Sequence, residues 1–173
     1  ASVKKCVADI ASNFTTNRML IDYENRFYSK LAARKRELSA NAYLLAREIA
    51  AWKRKVSAAW DQVRAVDVER VKIDKEAVFV GEKYRFSVTV DIANLRPEDI
   101  GVEMVIARQI VGGQGVNVTR TIRLEHIRTD NNLATYALDY TPNETGTFDV
   151  ALRIYPSNPH LPHRMDFALV KWA

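Results

Sequence analysis

No glycine or proline stands between Thr15 and Val63, while all six glycines and all five prolines lie after Val66. That asymmetry limits the possible folds more than any motif does. Proline interrupts a helix by removing an N–H and clashing with the preceding turn, and glycine weakens it through backbone entropy. A stretch free of both and rich in Ala, Leu, Arg, Lys and Glu has helix composition. After Val66 the chain turns to Val, Ile, Thr and aromatic residues with turn residues between them, which is strand-and-turn composition. The expected division is a helical segment over 1–65 and a β domain over 66–173.

Within the first part, Leu38, Ala42, Leu45, Ile49, Trp52, Val56, Trp60 and Val63 recur at steps of three and four. This predicts an amphipathic helix of about seven turns. Arg47, Lys53, Arg54, Lys55 and Asp61 occupy the other face. Two tryptophans on one seam point to a packing surface rather than a ligand box. An earlier helix is expected after Phe14, with Thr15 or Thr16 as its cap, because a side-chain oxygen there can accept from a free N–H of the first turn. Leu20, Tyr23, Phe27 and Leu31 then share a face. Nothing from Leu31 to Leu38 forbids helix, so a helical hairpin and one bent helix both fit.

The second part shows period two. Tyr84, Phe86, Val88, Val90 and Ile92 alternate with Arg85, Ser87, Thr89 and Asp91, the mark of a strand with one dry and one wet face. Val102, Met104 and Ile106 continue it, followed by Ile122 and Leu124, by Ala134, Tyr136, Leu138 and Tyr140, and by Phe148, Val150, Leu152 and Ile154. A last strand is expected from Phe167 to Trp172. Turn signals separate these runs, and no helix intervenes. Seven or eight short strands of this kind predict an antiparallel immunoglobulin-like β-sandwich behind the long N-terminal helices, an α+β architecture. The disulfide and tryptophan of antibody domains are absent.

Composition excludes several functions. No run of about 18 apolar residues exists, so no membrane-spanning helix is expected. The start lacks the apolar stretch of a secretory signal. Cys6 is the only cysteine, which suits a reducing, cytoplasmic setting. The sequons at Asn13, Asn117 and Asn143 then read as chance. The net charge of +5 comes from 26 basic and 21 acidic residues. That near balance describes a mixed-charge surface, and no nucleic-acid partner is expected. A basic helical nucleic-acid binder ranks last among the readings.

Local chemistry is sparse. His126 sits alone, in phase with Ile122 and Leu124, and reads as a half-buried strand histidine. His160 and His163, with Asp166 as a third donor, could hold zinc in a loop. Pro159 and Pro162 speak against a helix there, and no metal site is assigned. The VGGQGVNV run lacks the Lys-Ser/Thr and helix of a phosphate loop and reads as a hairpin. No catalytic residue emerges.

Three stretches resemble a known family. FTTNRMLIDYENRFY is similar to the region near the C-terminal end of the catalytic part of α-glucan (glycogen/starch) phosphorylases, through Phe14, Thr15, Thr16, Asn17, Arg18, Leu20, Asp22 and Tyr23. LAREIAAWKRKVSAAWDQV resembles the helix that follows it. YTPNETGTFDVALRIYPSNPHLPHRMDFALVKW, the most specific of the three, is similar to the extreme C-terminus of the bacterial and archaeal branch. That branch commonly ends in a strand, a Tyr-Pro step, an Asn/His-Pro, a Leu-Pro-His-Arg and an Asp-Phe before Val-x-Trp. Some members fuse a glycogen-synthase-like region to the phosphorylase, and the resemblance extends to that type.

The resemblance implies a parent glycosyltransferase, bacterial in type, that phosphorolyses α-1,4-glucan to glucose 1-phosphate with pyridoxal phosphate on a lysine. The family's Glu-Ala-Ser-Gly-Thr lysine motif does not occur in these 173 residues, so no catalytic or cofactor residue carries over. The implied role is a non-catalytic C-terminal module that packs on the catalytic body, supports a homo-oligomer or holds α-glucan. Tyr155, His160, His163, Arg164 and Trp172 are its candidate glycan or interdomain contacts. A glycan-binding sandwich is the alternative reading.

Overall fold

A computed structural model describes residues 5, 15–71, 79–110 and 115–173. Cys6 and Asn13 lie outside the described residues. The chain divides into two compact units, Ala1–Ala51 and Trp52–Ala173.

In the first unit, helix α1 (Thr16–Tyr23) starts where its cap allows. Thr15 is extended, and its hydroxyl accepts the Arg18 backbone N–H at 3.2 Å, satisfying one orphan donor of the first turn. A π-helical turn, Glu24–Tyr28, follows, and then helix α2, Ser29–Ala59. The extra residue of a π turn rotates one helical face against the next. Helix α2 is broken at Ala40–Tyr43. Ala40 is extended, and Asn41, Ala42 and Tyr43 have φ of 49°, 52° and 62°. The Arg47 guanidinium donates to the Ala42 carbonyl at 2.7 Å, replacing a helical partner lost at the break. The expected unbroken seven-turn stripe is therefore corrected. Ala42 sits exposed in the break, while Leu38, Leu45 and Ile49 are half-buried. None of α1 or the π turn is buried. Leu20, Tyr23, Phe27 and Leu31 are 55%, 43%, 52% and 64% exposed, so no second helix among the described residues buries this face.

The second unit begins with the end of α2. Trp52, Val56 and Ala59 are buried, as are Trp60 in the 3₁₀ turn Trp60–Gln62 and Val63 beyond it. These side chains belong to the same core cluster as the strands. Eight strands follow among the described residues: β1 Arg64–Val71, β2 Tyr84–Asp91, β3 Ile100–Gln109, β4 Val116–Arg123, β5 Glu125–Asp130, β6 Leu133–Tyr140, β7 Asp149–Pro156 and β8 Lys171–Trp172. They form two four-stranded antiparallel sheets, β1-β2-β6-β5 and β4-β3-β7-β8. This is the immunoglobulin arrangement of A-B-E-D against C-F-G, with one strand added beside C. The core lies between the sheets. Val88, Val90, Val102, Met104, Ala134 and Ile154 are at or within 1% of complete burial there. The alternation read in β2 appears as its burial pattern.

Three strand expectations need correction. The phase that joined Ile122, Leu124 and His126 spans two sheets. Strand β4 ends at Arg123, Leu124 donates its N–H to the Val102 carbonyl at 2.8 Å, and β5 starts at Glu125 in the other sheet. His126 is consequently exposed, with Nε2 2.7 Å from the Thr129 hydroxyl and its ring 5.5 Å from that of Tyr136. Second, the last strand is only Lys171–Trp172, because Arg164–Phe167 winds into a 3₁₀ turn. Third, Val150 is in phase with the buried Leu152 and Ile154 of β7 yet is 42% exposed. The glycine run does join two strands. β3 and β4 pair antiparallel, and Ile110 N–H meets the Gly115 carbonyl at 3.2 Å. Residues 111–114 lie outside the described set.

Candidate functional site

The chemistry of the described residues concentrates where the segment from Tyr155 to Trp172 crosses the β4-β3-β7-β8 sheet. Strand β3 is buried on both faces. On its outer face sits Glu103, an acid within an apolar run, with a side chain only 6% exposed. The register sets Arg123 of β4 and Arg153 of β7 on either side of it. Arg153 Nε donates to Glu103 Oε1 at 2.6 Å. Arg164, arriving from the 3₁₀ turn, donates to the same oxygen. A buried carboxylate requires such partners, because isolated burial of its charge costs far more than a protein's net stability.

Aromatic rings hold the arginines. The Arg153 guanidinium lies 5.6 Å from the Trp172 ring and that of Arg164 lies 5.9 Å from the Tyr155 ring, both within cation–π reach. Tyr155 packs flat on Gly101, its cross-strand partner. A Cβ at Gly101 would stand 2.5 Å from Tyr155 Cζ. Gly101→Ala should therefore displace the tyrosine or cost about 1–3 kcal/mol of stability; near-UV circular dichroism and urea unfolding will show which. Unchanged spectra and midpoint would refute the packing. Burial, with Glu103 nearby, raises the Tyr155 hydroxyl above its ordinary pKa, and Arg123, Arg164 and Arg153 oppose that rise. Arg123 Nη2 also donates to Ser157 Oγ at 3.2 Å.

A second polar centre binds the helix end to the sandwich. Asp99, 2% exposed, accepts the Trp52 indole N–H at 2.9 Å and the Arg96 backbone N–H at 3.0 Å. Lys55 approaches it at 3.4 Å. Burial pushes the Asp99 pKa up. The Arg96 N–H, the Trp52 indole, the Arg96 guanidinium and Lys55 outweigh that, leaving it below the usual carboxylate value. Phe167 meets Trp52 edge-on at 5.5 Å between ring centres, and Lys53 Nζ donates to the Asp166 carbonyl at 2.7 Å. Lys171 Nζ donates to the carbonyls of Asp61 and Val63.

Of the sequence candidates, the fold gathers Tyr155, Arg164 and, through Arg153, Trp172. The other two serve different ends. The His163 ring accepts the Met165 N–H at 3.1 Å, and the Asp166 carboxylate accepts the His163 N–H at 3.2 Å, so this pair caps the 3₁₀ turn. His160 is exposed, with its backbone N–H on Asn158 Oδ1 at 2.9 Å. No group of three His, Cys, Asp or Glu side chains among the described residues is placed to hold a metal. The sequence reading missed Glu103, Arg153, Arg123 and Gly101. The available signal was the lone acid in IGVEMVIA, a strand otherwise without charge until Arg108.

The comparisons with known proteins agree with this architecture. The family model described as the glycogen phosphorylase C-terminal domain matches residues 60–173. Maltodextrin phosphorylase of Thermococcus litoralis is 30% identical over 174 residues, covering 98% of this chain and 20% of the relative. Glycogen phosphorylase of Mycobacterium tuberculosis is 24% identical over 172 residues, covering 99% of this chain and 20% of the relative. The chain spans about one fifth of the length of these curated relatives. Among the described residues no helix is long and apolar enough to cross a membrane. With all its described strands and the crossing segment inside the matched residues 60–173, the chain belongs to the glycogen phosphorylase C-terminal domain family.

Proposed function

We propose that this chain is the non-catalytic C-terminal module of an α-glucan phosphorylase and that its helical first unit docks on the catalytic body of that parent. The observation that carries the reading is the bare apolar surface of the first unit. Met19, Leu20, Ile21, Phe27, Tyr28 and Leu31 are all 46% exposed or more. So many large apolar side chains exposed along one helical stretch mark a surface for another body to cover. The short span relative to the named relatives supplies that body.

In this reading phosphorolysis, the glycosyltransferase chemistry and pyridoxal phosphate belong to the parent's upstream part, in a reducing cytoplasm. The test mixes the chain with the separately produced upstream part. A complex should form on gel filtration, and Leu20→Asp with Phe27→Asp should weaken it at least thirtyfold, the loss of one hot spot or more. The chain alone should release no glucose 1-phosphate from maltodextrin and phosphate. Release by the chain alone, or indifference of the complex to both substitutions, would sink the proposal.

One observation favours a second reading, a glycan-binding sandwich. Trp172 is 60% exposed and borders a groove of about 410 Å³ between β1 and β8. Exposed indoles stack on sugar rings, and retardation in a glycogen-containing gel that Trp172→Ala abolishes would establish it.

A further inference from the structure

The Glu103 centre has a charge imbalance that its structural role leaves unexplained. A single carboxylate is needed to hold the crossing segment, and one arginine would satisfy it. Here Arg153 and Arg164 both donate to the same oxygen, Oε1. Arg123 stands on the neighbouring strand at the same level. The Asp166 carboxylate, two residues from Arg164, is turned to the His163 N–H instead. Glu103 neutralises one of these three guanidiniums, so the cluster retains two positive charges, with Asp149 four residues from Arg153 on the same face of β7.

The guanidiniums are also fixed in place. Arg153 and Arg164 each lie on an aromatic ring and each is anchored to Glu103. A guanidinium carries five N–H donors in a rigid fork. Arg153 commits two of its nitrogens to Glu103 and Arg164 one, which leaves donor edges on both. Arg164 keeps 38% of its side chain exposed, and Trp172 beside Arg153 is 60% exposed. Preorganised forks with a net charge of two suit a tetrahedral dianion better than a planar carboxylate, which carries one charge and is filled by one fork.

We propose that the outer face of the β4-β3-β7-β8 sheet binds a phosphate dianion, free or as a monoester, between Arg123, Arg153 and Arg164, with Trp172 flanking it. This site is independent of the helical docking surface. The 173-residue chain is titrated with inorganic phosphate and with methyl phosphate by calorimetry, at ionic strength held constant with sodium chloride. Tryptophan emission is followed in parallel. Trp52 and Trp60 are 9% and 6% exposed, so a solvent-sensitive change reports Trp172. Saturable binding is expected for at least one ligand. Arg123→Gln, which leaves both Glu103 bonds in place, should weaken it about tenfold, one charge-assisted contact. Arg164→Gln should weaken it further. Tighter binding of methyl phosphate identifies an esterified ligand, and tighter binding of inorganic phosphate identifies the free ion. A response that does not saturate, or that is untouched by both substitutions, overturns the proposal.

Discussion

Trp52→Ala should lower the unfolding free energy of the sandwich unit by about 4 kcal/mol, in the range for deleting a buried aromatic. The indole fills the core, takes Phe167 on its edge and donates to Asp99. Its removal also leaves a buried carboxylate short of one donor. Trp52→Phe separates the two effects, keeping most of the volume and losing only the bond, at about 1–3 kcal/mol. Urea midpoints on the three proteins measure both numbers. If Trp52→Ala shifts the midpoint no more than Trp52→Phe, the helix end is not part of the sandwich core. Acid supplies a check on Asp99. Its folded pKa is depressed, so its contribution is full above the unfolded value of about 3.9 and fades as pH falls below that. Asp99→Asn should flatten the stability curve in that window and leave its neutral-pH slope unchanged.

The second large effect is expected at Glu103. Glu103→Ala leaves two guanidiniums facing each other with no carboxylate between them and should cost about 3 kcal/mol or more. Adding Arg164→Met to Glu103→Ala removes one of the two guanidiniums and should recover part of that loss, while Arg153 stays without its carboxylate. Such recovery distinguishes an uncompensated charge from a simple cavity, because a cavity would not be repaired by a change at Arg164. A double-mutant cycle in guanidinium chloride, with the coupling read between the two positions, gives the answer. Coupling near zero would mean that Arg164 does not depend on Glu103.

The parts of the fold that the sequence displays are those with a single buried face. The β2 alternation and the Trp52–Val56–Trp60–Val63 seam each face one core, so periodicity reports them directly. The chain crosses between sheets at Leu124 without losing a residue of phase, so period two carried His126 into the wrong strand. The break at Ala40–Tyr43 was invisible for a different reason. Ala-Asn-Ala-Tyr contains no glycine or proline, and of its three left-handed residues only Asn41 is of a type that tolerates that backbone. The candidate site was half visible. The crossing segment announced Tyr155, Arg164 and Trp172 by its unusual composition. Glu103 and Arg153 become partners only through the β3–β7 register, and Arg123 only through β3–β4. Pairing across strands far apart in sequence leaves no periodic trace.

The way α2 ends has a consequence for inheritance and for engineering. The strands alone do not close their own interior, because Trp52, Val56 and Ala59 plug it from a helix that precedes the first strand. The fully buried Val56 of that plug alone is worth about 1.5–3 kcal/mol in apolar burial, a large share of a small domain's total stability. A gene fragment cut at the first strand would encode eight strands around an open end. The portable cassette, the piece that recombination or a protein engineer could move intact into a new host, therefore starts no later than Trp52.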